Sequence, residues 1–324
     1  MIILKNKKKM DEMISKASNI FIVGHRYLDL DAIASNIGMY EYVKTFGKKP
    51  IIIVNDKYKE AGVKRVIDKV SECYHFEKSS KIKHRINENS LLIITDTNKE
   101  VLLQDNTLPS LFGKNIIIID HHEYNETSIQ NGLILVDDKL SSASEMVTYL
   151  LDSIDKVVEK KIATILLSGI VLDTNNFALK TTADTYKAAY LLAKQGAKAS
   201  EVQGLLKQDI KAYIERHKMI TDVRICDNIA IACAKASLFY RREDLAKVSD
   251  LLLQFNGIEV SFAVGKLDSR KVGISGRSVG KINVGDVLEY LGGGGNAYEA
   301  AAQVEHKKIK EVEEDIKEAL KNFK

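Results

Sequence analysis

The sequence predicts an α/β protein in which a parallel-sheet domain is followed by a smaller α/β domain. Three observations carry this: apolar runs of four residues recur through the first half, helix-patterned segments separate them, and a second strand and helix pattern begins after Met219. The runs are 20–23, 51–54, 91–94 and 116–119, and such unbroken Ile-rich runs belong to strands covered on both faces. Strand and helix in alternation imply right-handed crossovers within one parallel sheet, whose ligands gather beyond the carboxyl ends of the strands.

Each element has a local reason. Over 31–46, Ile33, Ile37, Tyr40 and Val43 fall on one helical face, Asp31 is a candidate N-cap, and Gly47 follows where helices stop. Ser142, with Glu145 three residues on, reads as a capping box that opens another helix. Helix patterns also cover 157–170, 183–194 and 200–217, and the charged stretch 203–216 is the expected connection between domains at 1–202 and 217–324. In the second domain, 223–226 and 229–233 flank Asp227-Asn228 as a hairpin, a helix is expected over 243–255, and strands over 258–264 and 272–275. Four glycines follow, Gly292, Gly293, Gly294 and Gly295, with a helix expected just after them, and a charged helix over 305–321 ends the pattern.

Composition narrows the function classes. A 45% hydrophobic and 28% charged chain belongs to the soluble globular class, and no apolar run approaches the roughly 18 residues of a spanning helix. The start, MIILKNKKKMDEM, turns basic before any apolar segment forms, so no secretory leader is expected, and Lys5, Lys7, Lys8 and Lys9 read as the solvated lead of a helix. Cys73, Cys226 and Cys233 lack CxxC spacing, which disfavours a disulfide frame or a thiolate zinc site. A net charge of +4, against 48 basic and 44 acidic side chains, gives no field for duplex nucleic acid, so an anionic ligand must be held locally.

Ionisable residues concentrate after the apolar runs. His25, Asp29 and Asp31 follow the first, Asp96 the third, Asp120, His121 and His122 the fourth, and Asp173 follows an apolar stretch over 166–172. Recurrence at the ends of neighbouring strands implies one shared site. Imidazole and carboxylate without thiolate suit a borderline to hard divalent ion, and so many donors exceed what one catalytic metal needs. Two metals roughly 3.5 to 4 Å apart, bridged by a carboxylate, account for the number. Asp96, on a central strand, is the natural bridge, and a metal-dependent hydrolase is the reading. His75, His84, His217 and His306 sit in charged segments and are assigned no role.

The set GHRYLDLDA at 24–32, TDT at 95–97, DHH at 120–122, SSASE at 141–145, GIVLDTNNF at 169–177 and LGGGG at 291–295 resembles the DHH phosphoesterase superfamily with its DHH-associated C-terminal domain. The stretch 274–295 is most similar to the catalytic region of GdpP-type cyclic-di-AMP phosphodiesterases. The resemblance implies an active site in the interdomain cleft and Mn-dependent hydrolysis of cyclic di-AMP to linear pApA by a two-metal-activated water. It implies two Mn ions, one held by His25, Asp29 and Asp96, the other by Asp31, Asp96, His121 and Asp173. The implied catalytic residues are Asp96 and His122, the latter on the substrate phosphate and leaving oxygen, while Asp120 orients a histidine from behind. Arg277 would clamp a phosphate, and Gly292, Gly293, Gly294 and Gly295 would let backbone amides reach the nucleotide. Asn296 stands where the glycine motif usually ends in His, which bears on the preferred dinucleotide. The alternatives are an oligoribonuclease or pAp phosphatase of the same superfamily and a catalytically dead cyclic-dinucleotide receptor; a soluble pyrophosphatase is disfavoured. The expected partners are a cyclic dinucleotide and a second copy in a homodimer, with no membrane contact by this chain itself. The expected location is cytoplasmic, free-standing or as the cytosolic catalytic part of a longer membrane-anchored protein.

Overall fold

The structure, a computed structural model, describes residues 1–55, 60–207 and 209–322, with the side chain of Ala212 left aside. Gln208, inside the stretch expected to join the domains, lies outside the described residues, as do 323 and 324. The chain divides into two compact units, Met1–Lys207 and Gln208–Lys324. Where one helix was expected over 200–217 there are two, Ala199–Leu206 and Ile210–Thr221, on either side of that division.

The first unit is built on β1 (Ile20–Val23), β2 (Ile51–Ile53), β3 (Phe76–Glu77), β4 (Leu91–Thr95), β5 (Ile116–Asp120) and β6 (Leu133–Val136). They form one parallel sheet in the order β3-β2-β1-β4-β5-β6. Side chains alternate between two cores. Ile20, Ile22, Ile93, Ile117 and Ile119 enter the larger one, whereas Phe21, Val23, Leu92, Ile94, Ile116 and Ile118 enter a smaller one on the opposite face. Burial on both faces is why these strands read as unbroken apolar runs. The sequence reading missed β3 and β6: the first has two residues, and the second is an edge strand buried on alternate residues only.

Helix Leu30–Lys44 is buried from Leu30 to Val43, because helices Ala143–Asp152 and Lys160–Asp173 both pack against it over the sheet. A helix enclosed on all sides shows little amphipathic periodicity. The expected capping box at Ser142 is half formed. Ser142 accepts from the Glu145 amide at 3.0 Å, but the Glu145 carboxylate accepts from the amide of Ser141 rather than that of Ser142. Register places the ends of β1, β4 and β5 side by side, with Val23 opposite Ile94 and Thr95 opposite Ile119. Whatever follows those residues is gathered at one edge of the unit.

The second unit has β7 (Arg224–Cys226), β8 (Ile229–Cys233), β9 (Val260–Lys266), β10 (Lys271–Ser278), β11 (Gly294–Gly295) and β12 (Glu299–Glu305), in the order β11-β12-β10-β9-β8-β7. Only the β8–β9 pair is parallel, and Asp227, at φ 54°, turns the β7–β8 hairpin. Helices Arg242–Leu252 and Ile309–Lys321 pack on it. No helix among the described residues is long and apolar enough to cross a membrane.

A buried ion pair fixes the second unit's first helix. Arg216 Nη1 donates to Asp244 Oδ1 at 2.8 Å, and both residues are buried. Arg216→Ala would leave the Asp244 carboxylate with Arg241 as its remaining cationic partner and should destabilise this unit by about 2 kcal/mol, measured by urea unfolding. Burial pushes the Asp244 carboxyl up, but the Arg216 hydrogen bond and the Arg241 charge outweigh it and hold the group below its ordinary value. A lowered carboxyl stabilises above the ordinary range and loses that contribution as pH falls through the lowered value. The gap between wild type and variant should therefore narrow below about pH 4.

Candidate metal centre

The site begins where β1 ends. Asp29 has the extended backbone an N-cap requires, and its Oδ1 accepts from the Ala32 amide at 2.9 Å. Its other oxygen, Oδ2, lies 3.6 Å from His25 Nε2. Asp29 therefore takes the capping role expected of Asp31, which already sits in the first helical turn. Asp31 is fully buried; its Oδ2 accepts from the Ala143 amide at 2.7 Å and its Oδ1 from the Ser144 amide at 2.9 Å. Those amides open helix Ala143–Asp152, so Asp31 is held by a helix other than its own.

Asp96 follows β4 in the left-handed region, φ 61°, a conformation that Asp tolerates better than most residues. Its Oδ2 lies 3.4 Å from His25 Nε2 and its Oδ1 3.3 Å from His121 Nε2. His121 Nε2 also lies 3.0 Å from Asp173 Oδ2 and 4.0 Å from Asp31 Oδ2. Asp173 is not at a strand end, as the sequence reading placed it. It is the last residue of helix Lys160–Asp173, whose buried and mostly apolar final turns resemble a buried strand when read linearly. A carboxylate there faces the negative end of the helix dipole, an arrangement that a neighbouring cation relieves.

Among the described residues, three donor sets share Asp96, one of them formed with Asp120, His121 and His122. His25, Asp29 and Asp96 present mutually close ligand atoms, and so do Asp31, Asp96, His121 and Asp173. Asp96 Oδ1 and both ring nitrogens of His121 are buried without a hydrogen bond, which among groups this polar points to an ion as the missing partner. Electrostatics agree. Burial lowers the His25 and His121 ring values, yet the facing carboxylates outweigh it and both stand well above the ordinary imidazole value. Burial and then the Asp96 charge raise Asp31, and burial takes Asp173 up to about 6. Asp96 itself is pushed up by burial but held below the ordinary range by His121 and His25. The cluster draws positive charge inward.

Behind it, Asp120 Oδ1 accepts from the His121 amide at 2.9 Å and lies 2.8 Å from His122 Nδ1, while Asn98 Nδ2 donates to Asp120 Oδ2 at 2.7 Å. The His122 side chain is 53% exposed, with its Nδ1 turned to Asp120. Sequence reasoning assigned nothing to Asn98, nor to the Ala143 and Ser144 amides. The latter lie more than a hundred positions from Asp31, and no periodicity links them.

Residues 19–170 match the DHH family, N-terminal domain, and residues 228–323 match the DHHA1 domain. The chain belongs to the DHH family. It is 34% identical to the "Cyclic-di-AMP phosphodiesterase GdpP" of Geobacillus thermodenitrificans over 96% of this chain and 48% of that protein. It is 31% identical to the "Cyclic-di-AMP phosphodiesterase PdeA" of Listeria monocytogenes over 96% of this chain and 48% of that one. The chain thus spans about half the length of the curated relatives it matches. An exopolyphosphatase-related protein from Bacteroides fragilis shares the DHH fold at a TM-score of 0.83 and 20% identity, over 98% of this chain and 96% of that one. RecJ from Thermus thermophilus, solved in complex with Mn2+, shares it at 0.54 and 11%, over 99% and 55%.

In the DHHA1 unit the expected substrate residues fall on the interior strand β10 and in and around the edge strand β11. Arg277 lies within β10 rather than after its end, and its Nε donates to Asp250 Oδ1 at 2.6 Å, with Nη2 3.6 Å from Glu299. The helix expected after the glycines is absent: a hairpin stands there, Gly294 and Gly295 in β11 pairing with Ala301 and Ala300 in β12. Alternating burial along β12 carries the strand period that a helix reading overlooked. A Cβ on Gly293 would lie 2.4 Å from the Ala301 carbonyl oxygen, so close strand approach alone requires that glycine. Asn296 Oδ1 accepts from the Tyr298 and Glu299 amides at 2.8 and 3.0 Å, which makes it the turn residue of the hairpin.

Proposed function

We propose that this chain is the catalytic part of a phosphodiesterase that hydrolyses cyclic di-AMP to linear pApA, with two manganese ions as cofactors. The observation that carries the reading is the division of Asp96, one oxygen toward His25 and the other toward His121. It supports one ion among His25, Asp29 and Asp96, and a second among Asp31, Asp96, His121 and Asp173. Imidazole and carboxylate donors without thiolate suit manganese. When bound, such a pair of cations supplies an activated water and offsets the charge that grows on the phosphoryl oxygens.

The chain's own residues do the remainder. Asp120 fixes the His122 ring through Nδ1, which leaves Nε2 to donate to a phosphate oxygen and to protonate the departing 3′ oxygen. Water adds to phosphorus, the P–O3′ bond breaks, and the product keeps a 5′ phosphate and gains a 3′ hydroxyl. The names of relatives at 31–34% identity support cyclic di-AMP as the substrate.

Incubating the purified protein with Mn2+ and, separately, cyclic di-AMP, pApA, pAp and pyrophosphate tests this, with products separated chromatographically. Cyclic di-AMP is expected to be consumed fastest, with pApA appearing in equal amount and a chelator stopping the reaction. Binding of cyclic di-AMP without turnover would replace the enzyme by a receptor. Faster consumption of pAp would favour the phosphatase of the same superfamily.

A further inference from the structure

The SSASE segment stands beside the donor cluster with no role in the chemistry above. Its geometry is that of a clamp. Asp31 owes its position to two amides, those of Ala143 and Ser144, and the same short segment contains Glu145, whose carboxylate is fully buried. Glu145 Oε2 accepts from the Ser141 amide at 3.0 Å, from the Ser141 hydroxyl, and from Thr185 Oγ1 at 3.1 Å. Its Oε1 is buried without a hydrogen bond, as is Ser144 Oγ, so one edge of the carboxylate carries the whole attachment. Thr185 belongs to helix Ala183–Lys194, where it exchanges hydrogen bonds with Thr182 at the N-terminus. A chain of contacts therefore runs from that helix through Thr185 and Glu145 to the turn that presents two N–H groups to Asp31.

We propose that Glu145 is a positioning residue for the metal site of Asp31, Asp96, His121 and Asp173, acting through the 141–145 turn and the two amides that hold Asp31. The inference rests on the two-ion reading given above. Three carboxylates converge on His121 there, and Asp31 stays among them because both its oxygens are tied from behind. Loosening the turn frees Asp31 to swing away from Asp96 and Asp173, toward lower charge density. The His25 and Asp29 side, capped by its own helix through Ala32, is untouched by that movement.

Glu145→Ala, Glu145→Gln and Thr185→Val are compared with wild type by calorimetric Mn2+ titration and by electron paramagnetic resonance of the Mn2+-loaded proteins. Wild type is expected to show two sites and a spin-coupled pair. Glu145→Ala should weaken one site by roughly tenfold to a hundredfold, the range for lost outer contacts to a metal ligand, leave the other unchanged, and convert the coupled signal to a mononuclear one. Excess Mn2+ should restore much of its kcat with KM unaltered. Glu145→Gln, whose amide oxygen still accepts from Ser141, should remain within about threefold of wild type. Should Glu145→Ala not fold, Thr185→Val removes one of the three donors at nearly constant volume and should weaken the same site by about fivefold. Two wild-type affinities in both Glu145→Ala and Thr185→Val, or equal weakening of both sites, would overturn the positioning role. A wild type that binds no Mn2+ would overturn the two-ion reading itself.

Discussion

Asp96→Asn is expected to lower turnover of cyclic di-AMP by roughly a thousandfold, equivalent to about 4 kcal/mol of transition-state stabilisation, and to reduce bound metal below one ion per chain. The substitution isolates charge from shape. Asn occupies the left-handed region as readily as Asp, so the backbone at φ 61° is preserved and the loop after β4 keeps its path. What disappears is the one carboxylate facing both His25 and His121. Elemental analysis after dialysis, together with product chromatography, checks both parts. Near-wild-type turnover with two ions retained would remove Asp96 as the bridge.

Gly169→Ala should destabilise the first unit by about 1 to 3 kcal/mol and cut turnover by on the order of a hundredfold. Two effects of opposite sign compete. Alanine is the better helix former by about 1 kcal/mol, and Gly169 lies inside helix Lys160–Asp173. A Cβ there, however, would sit 2.3 Å from Ser144 Oγ, 2.6 Å from Asp31 Oδ1 and 3.0 Å from Asp31 Cα. Relief would require the helix to move off, and Asp173 lies one turn beyond on the same face. Packing therefore wins over propensity, and the displacement reaches two candidate ligands together. Urea unfolding and steady-state kinetics measure the two consequences separately.

Much of the sheet was legible because enclosure on both faces leaves an unmistakable mark on a short strand, as in the unbroken Ile116–Ile119 stretch of β5. The same mark misled at Asp173, since a helix sandwiched between other helices is also apolar all round. Position after the apolar runs brought forward His25, Asp29, Asp31, Asp96, Asp120, His121, His122 and Asp173, the family resemblance chose six of them as ligands, and the structure brings the ligand atoms of those six together around Asp96. The sequence could not say which aspartate caps the helix, because that depends on backbone angles at Asp29. Nor could it join Asp31 to the Ala143 amide, a pairing that only the packed helices create. In the DHHA1 unit the structure adds a local role to residues read as a ligand loop: Gly293 and Gly295 meet the backbone of β12 and Asn296 closes a turn.

The carboxylate-terminated helix Lys160–Asp173 has a consequence for the cell as well as for the site. On the two-ion reading, four aspartates and two imidazoles gathered by the fold, with Asp173 at the negative end of its helix, would make the folded state a better ligand for divalent ions than the unfolded chain. By mass action, an ion present at a hundred times its dissociation constant favours the folded form by about 2.7 kcal/mol, and two ions by about twice that. The amount of intact protein would then be set partly by the supply of divalent metal, so that scarcity would thin the population of molecules before it slowed any one of them.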